Sequence, residues 1–406
     1  MITMRKNLLQ INGGDIGGGA YEISEYIHYA MKLSWNTSML VGHKKSTDPT
    51  IHKIRCSQIA TYANLFLGLE YMFYLNTYFL LKKPEFTQAD IVHYHNLHGS
   101  YFNLLALPLL TRKKPSVWTF HDMWPMLGHA AHSLDCQRCE QGKMCRKHKQ
   151  LTPKLYTWDS SALLYHIKRF ILPRSNFHIV VPSMWLKNKI AHSFLKDKPI
   201  HLIHNGINTN LFIPKDKEKI RAELGLPQQK RIIVFLASGG LSNPWKGGQF
   251  AEDIMKHFSS RQDIIFLSIG GINPAFSDLP NLQQIGYVDN KTKLVKYYSA
   301  GDIFFSPSIA ENFSLTILEA MACGLPTLAF NVGGTPEIVD HRVNGYIAKN
   351  NDVKDLFAGL SYLLNAKNFN EMRLAAREKI VSHFTLDKMI THYEQLYQSL
   401  LTSEQT

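Results

Sequence analysis

Two glutamates, Glu311 and Glu319, stand on either side of a predicted helix start and could bind the hydroxyl groups of a ligand. Glu311 lies in the loop after a predicted strand, and Glu319 lies on the helix, four residues after Leu315 and on the same face. A carboxylate before the helix can accept hydrogen bonds from sugar hydroxyls, one on the helix can hold a ribose diol, and the N–H groups of the helix start can hold a phosphate. For two glutamates alone, a charge near a helix end and an ordinary surface residue are the simpler explanation.

Three further places carry groups suited to a phosphate or a sugar. Lys246 comes directly before a predicted helix start, which is a favourable place for an anion. The glycine-rich loop 13–19 links a predicted strand to a predicted helix, and glycine lets a backbone approach a phosphate closely; the same loop is also explained as a tight turn. His121 ends a predicted strand at 116–120, where a lone histidine is more often structural.

A cluster of cysteines follows His121 in a long predicted loop, with histidines on both sides. The members are Cys136, Cys139 and Cys145, and the neighbouring histidines are His129, His132 and His148. Three thiolates and one imidazole would make a closed structural zinc site. Free thiols in a loop are the alternative. The odd total of five cysteines argues against a disulfide framework.

The chain has a formal net charge of +13, which suits an acidic partner such as nucleic acid, an anionic membrane or a phosphorylated substrate. Scattered lysines that only solvate exposed faces are the alternative. The first twelve residues do not form a secretory signal, so we expect a cytoplasmic protein. The apolar stretch 59–81 is interrupted by Asn64, Glu70 and Asn76, so we interpret it as one or two buried helices, with a face toward a membrane or an acceptor as an option, and not as a membrane span.

The elements that must position these residues alternate between strand and helix along the whole chain. Such alternation predicts parallel sheets covered on both faces, and therefore an α/β fold of two doubly wound domains with the ligand in a cleft between them. The polar stretch 208–229 suggests the boundary. We predict two Rossmann-like domains, at 1–205 and 206–380, followed by a helix at 381–406.

Several short motifs around the candidate residues follow one another in a fixed order along the chain. They are HD (121–122), HNGIN (204–208), WKG (245–247), Glu311 and Glu319 with FSL (313–315) between them, EAMACGLP (319–326) and GGTPE (333–337). This set resembles the signature of the retaining glycosyltransferases of family 4, which have the GT-B fold. The resemblance covers nearly the whole chain and is most specific in its C-terminal half. It implies that 1–205 is the acceptor-side domain, that 206–380 is the nucleotide-sugar domain, and that the helix at 381–406 packs back on the first domain.

The resemblance implies a role for each candidate residue of the second domain. It implies that Glu319 binds the donor ribose and that Glu311 holds hydroxyls of the transferred sugar. The backbone of Asn312, Phe313, Ser314 and Leu315 would assist Glu311. Lys246 would neutralise the diphosphate of the leaving group.

For the first domain, the resemblance implies that Gly18 and Gly19 approach the diphosphate and that His121 contacts the transferred sugar near the reacting carbon. It also implies a nucleotide-sugar donor, a UDP- or GDP-sugar, and a glycan or lipid-linked acceptor in bacterial cell-surface polysaccharide assembly. We expect no cofactor for catalysis, a peripheral place on the inner face of the plasma membrane, and no nucleic-acid partner.

The chain departs from the family pattern at two positions. Gly240 stands where family members commonly carry an arginine that binds the diphosphate, and Asn208 replaces an aspartate often found there. The missing arginine keeps open a second hypothesis, a catalytically inactive glycosyltransferase-like subunit that supports a partner enzyme. A dinucleotide-dependent dehydrogenase lacks a clean G-x-G-x-x-G match, and a nucleic-acid-binding module lacks any recognition motif.

Overall fold

The computed structural model describes residues 5–69, 71–143 and 160–403. The chain forms two compact units, each with its own apolar core. The first unit is built from the described residues of 1–204 and 390–406, and the second from residues 205–389.

The first unit is an α/β structure around a parallel sheet. Within its described residues the sheet has the strand order β3-β2-β1-β4-β5-β6-β7. The strands are β1 Asn7–Gly14, β2 Asn36–His43, β3 Ile51–Lys53, β4 Ile91–Tyr94, β5 Ser116–Thr119, β6 His178–Val181 and β7 Ile200–Leu202. The helices are α1 Gly19–Met31, α2 Gln58–Leu67, α3 Pro84–Thr87, α4 Leu107–Lys113, α5 Gln137–Glu140, α6 Ser161–Ile171 and α7 Met184–Ala191, with 3₁₀ turns at Leu75–Lys82, Leu104–Ala106, Trp124–Met126 and Leu172–Arg174.

The second unit repeats the scheme with a parallel sheet in the order β10-β9-β8-β11-β12-β13. The strands are β8 Arg231–Leu236, β9 Ile264–Ile269, β10 Leu282–Ile285, β11 Ile303–Ser306, β12 Thr327–Phe330 and β13 Gly345–Ala348. The helices are α8 Lys217–Glu223, α9 Gly248–His257, α10 Lys291–Ala300, α11 Leu315–Ala322, α12 Thr335–Ile338, α13 Val353–Asn365 and α14 Phe369–His383, with 3₁₀ turns at Gly240–Ser242 and Pro274–Phe276. The predicted class, two doubly wound α/β domains with parallel sheets, is confirmed.

The last helix, α15 Leu386–Ser403, begins in the second unit and continues in the first. Two buried tyrosines of α15 bond to the first sheet: the Tyr393 hydroxyl lies 2.9 Å from Thr119 Oγ1, and the Tyr397 hydroxyl lies 2.7 Å from His93 Nδ1. Trp35 also packs edge-on against Tyr397. The part of α15 that holds Tyr393 and Tyr397 is therefore part of the first unit's core.

The polar stretch 208–229 lies inside the second unit, which begins at residue 205. It contains α8, whose buried Arg221 donates from Nη2 to Asp302 Oδ2 at 2.7 Å. Lys217 Nζ lies 2.8 Å from the other oxygen of Asp302, and the Ile232 N–H also donates to this carboxylate. Burial alone would raise the pKa of Asp302, but Lys217 and these hydrogen bonds hold it below its usual value. Lys217 and Arg221 of this stretch are thus structural partners of the second sheet.

The apolar stretch 59–81 forms α2 and the 3₁₀ turn at Leu75–Lys82, so the prediction of one or two helices is confirmed. The prediction that they are buried is wrong in part, because Ile59, Tyr62 and Phe66 are exposed to solvent. No helix in the described part of the chain is both long enough and apolar enough to cross a membrane.

Candidate active site

The order in which strands are added to the second sheet reverses between β8 and β11. The loops after these two strands carry the candidate residues Lys246 and Glu311. In open parallel sheets, ligands bind beyond the carboxyl ends of the strands at such a switch point, because the two loops there leave the sheet in opposite directions. The strand order thus gives a physical reason for a ligand site at these loops.

Lys246 and Glu311 form an ion pair that joins the two loops. Lys246 Nζ lies 2.7 Å from Glu311 Oε2, with 36% of the lysine side chain and 13% of the glutamate side chain exposed. Asn243 shapes the turn before the lysine, since its Oδ1 accepts from the N–H groups of Trp245 and Lys246. The structure therefore brings together the residue predicted to meet a diphosphate and the residue predicted to meet the sugar.

Two glycines hold these loops by close backbone approach. Gly247 has φ +72°, and a Cβ there would lie 1.8 Å from Pro307 O in the loop after β11. Gly333 has φ +57°, and a Cβ there would lie 1.8 Å from Glu311 O. Neither contact leaves room for a side chain. The WKG and GGTPE motifs thus have a packing role: they fix the backbone on both sides of Glu311.

Gly240, which stands where the family arginine is expected, has a backbone that disfavours any side chain. Its φ is +57°, and a Cβ there would come within 2.8 Å of Gly271 O. An arginine at this position would need a different loop backbone. The departure is therefore a change in the shape of the loop as well as the loss of one positive charge.

The start of α11 presents the remaining predicted donor-binding residues. Asn312, Phe313 and Ser314 form the turn from Glu311 into the helix, which begins at Leu315. The Gly334 N–H donates to Asn312 O at 2.8 Å, and Asn205 Nδ2 donates to Phe313 O at 3.2 Å.

The Ser314 hydroxyl lies 3.0 Å from Thr316 Oγ1 and does not cap the helix. The Ser314 side chain therefore does not bond to the first N–H groups of α11. N–H groups at a helix start are suitable donors to the oxygen atoms of a phosphate or a hydroxyl group.

Glu319 is buried and is engaged inside the second unit. Its Oε1 lies 3.3 Å from Lys291 Nζ and its Oε2 accepts from the Tyr298 hydroxyl at 3.1 Å. A ribose diol would have to share or replace one of these bonds. The ribose role of Glu319 stays a prediction, and Lys291 and Tyr298 are functional candidates that sequence reasoning missed.

In the first unit, the glycine-rich loop runs from β1 into the exposed start of α1. Gly18 is the residue before the helix, Gly19 is its first residue, and a Cβ at Gly18 would meet nothing within 4 Å. Asp15 anchors the loop, because its carboxylate accepts from the N–H groups of Lys45 and Ser46 at 2.8 and 2.9 Å. Burial alone would raise the pKa of Asp15, but hydrogen bonding to Ser46 and to the Lys45 N–H leaves it lowered.

His121 follows β5 and belongs to a chain of hydrogen bonds that leads into the buried part of the first unit. His121 Nε2 lies 3.0 Å from His95 Nδ1, and His95 Nε2 lies 2.8 Å from Gln10 Oε1. The Gln10 oxygen can only accept, so in this amide orientation His95 carries its proton on Nε2 and accepts from His121. Burial lowers the pKa of His121 to about 4, with Asp122 opposing and His98 adding to the shift. His121 is therefore neutral at neutral pH, and Gln10 and His95 set its tautomer.

Asp122 is held by His98 on one side and by backbone on the other. Its Oδ2 lies 3.3 Å from His98 Nε2, and its Oδ1 accepts from the Trp124 N–H. Burial alone would raise the pKa of Asp122, but the bond from His98 leaves it lowered. His98 thus contacts Asp122, as His95 contacts His121.

Comparison with protein-family models identifies two adjoining domains in this chain. A model described as "Glycosyl transferases group 1" matches residues 216–380, and a model described as "Glycosyltransferase Family 4" matches residues 40–211. Together they span most of the chain. The chain belongs to the glycosyltransferases of family 4.

Among curated relatives, this glycosyltransferase is similar to the N-acetyl-alpha-D-glucosaminyl L-malate synthase of Bacillus anthracis. The two are 23% identical over 256 residues, and the aligned part covers 60% of this chain and 65% of that protein. The chain spans between about half and two thirds of the length of the curated relatives that it matches. The relatives support the family assignment.

Solved structures show that this glycosyltransferase has the GT-B fold. A glycosyltransferase from Rickettsia africae superposes with a TM-score of 0.69 at 19% identity, covering 98% of this chain and 99% of that one. The Anabaena protein HepE, solved in complex with UDP-glucose, gives a TM-score of 0.68 at 13% identity, covering 97% and 99%. At these identities the likeness concerns the fold alone.

The loop after Asp122 in this glycosyltransferase is fixed by a buried lysine that sequence reasoning missed. Lys168 of α6 donates from Nζ to the carbonyls of Trp124, Leu127 and Gly128 at 2.6, 2.9 and 2.7 Å. Its ammonium also lies 3.6 Å from the centre of the Trp124 ring. No local sequence signal distinguishes this lysine from an exposed one, because its partners lie about 40 residues away.

The predicted zinc ligands are described only in part. Cys136 directly precedes α5, Cys139 lies within this helix and is buried, and Cys145 lies outside the described residues. Among residues 5–69, 71–143 and 160–403, no group of three or more histidine, cysteine or acidic side chains could hold a metal ion. The zinc site of three cysteines therefore stays a prediction.

Proposed function

We propose that this glycosyltransferase moves a hexose-type sugar from a UDP- or GDP-sugar to a glycan or lipid-linked acceptor. The proposed setting is bacterial cell-surface polysaccharide assembly, with the enzyme peripheral on the inner face of the plasma membrane. The observation that carries the proposal is the Lys246–Glu311 ion pair at the switch point of the second sheet. The pair places a cation that can bind a diphosphate beside a carboxylate that can bind sugar hydroxyls.

A nucleotide-sugar donor is supported by the chemistry of these groups. A leaving diphosphate gains negative charge as the bond to the sugar breaks, and a fixed cation together with N–H groups at a helix start stabilises that charge. Lys246 and the start of α11 supply both kinds of group. The bound UDP-glucose of the structural neighbour makes uridine donors the first to test.

The expected course of the reaction follows family resemblance. The bond from the anomeric carbon to the diphosphate oxygen breaks, the acceptor oxygen bonds to the same face of that carbon, and the acceptor proton passes to the leaving diphosphate. His121 would touch the sugar as a neutral hydrogen-bonding group, which fits its lowered pKa. No cofactor is needed for this sequence of steps.

The deciding experiment is a thermal-shift screen against UDP-, GDP- and ADP-sugars, with NAD as an unrelated dinucleotide. A ligand that binds the folded protein raises the melting temperature by mass action. We expect one nucleotide-sugar to stabilise the protein and the shift to be lost in Glu311→Gln. The exposed Glu371→Gln serves as the matched control. Stabilisation by NAD alone, or an equal shift in both variants, would contradict the proposed site.

A second candidate function is a catalytically inactive subunit that supports a partner enzyme. The backbone at Gly240 favours it, because the loop cannot accept the second diphosphate-binding side chain in its present shape. The same screen, followed by a radiolabelled-sugar transfer and donor-hydrolysis assay, separates the two. Donor binding without release of the nucleoside diphosphate would favour the inactive subunit.

The structural zinc is a separate proposal for the loop that holds Cys136, Cys139 and Cys145. Metal analysis of the purified protein should give about one zinc per chain, because a closed thiolate site binds zinc tightly. The double variant Cys136→Ser/Cys139→Ser should lose it, whereas Cys56→Ser, outside the loop, should keep it. A zinc-free protein with full thermal stability would refute the site.

A further inference from the structure

The helix α2 turns its apolar face outward. Ile59, Tyr62 and Phe66 are spaced three and four residues apart, so they share one face of the helix. Their exposed fractions are 80%, 72% and 69%. Soluble proteins commonly expose single apolar side chains, but a contiguous set of large ones marks a contact surface.

The buried side of α2 is held by a polar residue. Asn64 is 1% exposed, its Nδ2 donates to Ala60 O, and its Oδ1 accepts from the N–H groups of Met72 and Phe73. These bonds tie α2 to the next segment and fix its rotation. The outward direction of the apolar face is thus set by satisfied hydrogen bonds, which would be lost if the helix turned over.

The segment after α2 extends the apolar surface. Leu75 and Phe79 of the 3₁₀ turn are 65% and 60% exposed, and Phe73 is partly exposed beside them. A groove of about 330 Å³ lies between the two elements, lined in part by Ile59, Phe73 and Leu75. We call this set of exposed side chains the apolar face; its members are Ile59, Tyr62, Phe66, Phe73, Leu75 and Phe79.

Positive charges border the apolar face. Lys53 and Arg55 precede α2 and are exposed, and the Arg55 carbonyl accepts from Asn76 beside the groove. Lys82 is exposed at the end of the 3₁₀ turn, three residues after Phe79 and therefore on the same side. In the sequence 53–83, the only acidic residue is Glu70, against four lysines and arginines.

We propose that the apolar face and its basic border form a docking surface for an anionic lipid membrane. The inference deepens the proposed function, on which it rests for a lipid-linked acceptor. Aromatic and aliphatic side chains enter the interface between headgroups and acyl chains, and lysines and arginines bind anionic headgroups. Docking through the first unit would bring its predicted acceptor side to the membrane that holds the acceptor.

The charge pattern favours a membrane over a second copy of the chain. Two copies that met through this surface would bring two basic borders together, and like charges that face each other oppose association. An anionic membrane complements the same border along its whole length. The overall charge of +13 acts in the same direction at long range.

The test is co-sedimentation of the full-length protein with vesicles, without donor or acceptor. We expect binding to vesicles of phosphatidylglycerol and phosphatidylcholine in equal parts, weaker binding to pure phosphatidylcholine, and weakening by salt. The variant Ile59→Ser/Tyr62→Ser/Phe66→Ser should lose at least about tenfold in partition coefficient, because three side chains no longer enter the membrane. These side chains are exposed, so the variant should fold.

Matched controls remove equally exposed groups elsewhere. Leu33→Ser/Ile272→Ser/Leu374→Ser removes exposed apolar side chains outside the face and should bind as the wild type does. A second variant removes the basic border, and we expect it to lose the preference for phosphatidylglycerol; it is Lys53→Gln/Arg55→Gln/Lys82→Gln. Its control removes the same charge from exposed lysines elsewhere and should largely keep the preference; it is Lys293→Gln/Lys354→Gln/Lys367→Gln.

Equal binding by the triple serine variant and its control would overturn the proposal. So would a wild type that ignores vesicles but sediments as a dimer that the triple serine variant dissociates. Donor hydrolysis in the absence of vesicles separates this inference from the proposed function. Hydrolysis without vesicle binding refutes only the docking surface, and vesicle binding without donor binding refutes only the proposed chemistry.

Discussion

The Lys246–Glu311 ion pair should matter far more for the donor than for folding. Lys246 is partly exposed, and an ion pair of that kind stabilises a protein by about 0–1 kcal/mol. A cation on a leaving diphosphate contributes more, so we expect Lys246→Met to lower kcat by about 10²–10³-fold. The measurement is donor turnover together with the melting temperature of the ligand-free protein.

The matched control for this prediction is Lys256→Met on α9. Lys256 also pairs with a glutamate, Glu252, but it lies on the exposed side of the helix. It should change neither turnover nor stability by much. If both variants kept full turnover, Lys246 would have no role in the reaction.

Lys168 should be a stability residue, in contrast to Lys246. Its ammonium is the shared donor for the carbonyls of Trp124, Leu127 and Gly128. The substitution Lys168→Met keeps a side chain of similar volume but leaves the three carbonyls without their hydrogen-bond donor. We therefore expect the free energy of unfolding to fall by about 3 kcal/mol or more. Denaturant unfolding measures this, with the exposed Arg169→Met as the control on the same helix. An unfolding free energy close to that of the control would show that water replaces the ammonium.

At the scale of elements, Gly333 couples the loop before α12 to the loop before α11. A Cβ at residue 333 would collide with Glu311 O, and φ is +57°. Gly333→Ala should therefore cost about 1–3 kcal/mol and move Glu311, which lowers donor affinity in a thermal-shift titration. Gly286→Ala, where a Cβ meets nothing within 4 Å, is the control. Donor affinity equal to that of the control would refute the coupling.

The sequence predicted the elements better than it predicted the partners of individual side chains. Apolar runs such as 232–237 report burial directly, so a strand such as β8 could be located from the sequence. The site loops could be located because strand ends determine them. The contacts of Glu319 with Lys291 and Tyr298 could not, because they join residues more than 20 positions apart.

The direction of a helix face was also beyond the sequence. The stretch 59–81 is apolar enough to be buried, and composition alone favoured that interpretation. The buried, satisfied amide of Asn64 reverses it by turning the apolar side of α2 outward. The hydrogen bonds of Asn64 to three backbone groups thus determine which face of α2 is exposed, and hydrophobicity alone does not predict this.

At the scale of the whole molecule, the two units should respond differently to acid. Burial lowers the pKa of His28 to about 4, with Lys32 adding to the shift, and lowers the pKa of His121 to about 4. Burial also puts the pKa of His93 and His95 well below the usual value. All four histidines belong to the first unit. In the second unit, the hydrogen bond from Arg261 lowers the pKa of Asp263 to about 2. Burial would raise the pKa of Asp302, but Lys217 and Arg221 lower it below its usual value.

The sign of the pH effect follows from these shifts. A histidine with a lowered pKa binds its proton more readily in the unfolded chain, so stability falls as pH drops below about 6.5 and continues to fall to the folded pKa. Each such histidine costs about 1.4 kcal/mol per pH unit in that window. The lowered aspartates of the second unit stabilise it above pH 4 and lose this effect only in stronger acid. The first unit should therefore unfold first between pH 6 and pH 4.

Hydrogen exchange read by mass spectrometry can resolve this by unit, after correction for the intrinsic exchange rate at each pH. Peptides of the first unit should lose protection between pH 6 and pH 4, while those of the second unit keep it. His28→Gln, which can still bond Thr50, removes one titrating group and should flatten the pH dependence, whereas the exposed His166→Gln should not. Equal loss of protection in both units would mean that the buried histidines do not control acid stability. Unequal loss, reduced by His28→Gln, would trace the acid lability of the enzyme to the buried histidines of its first unit.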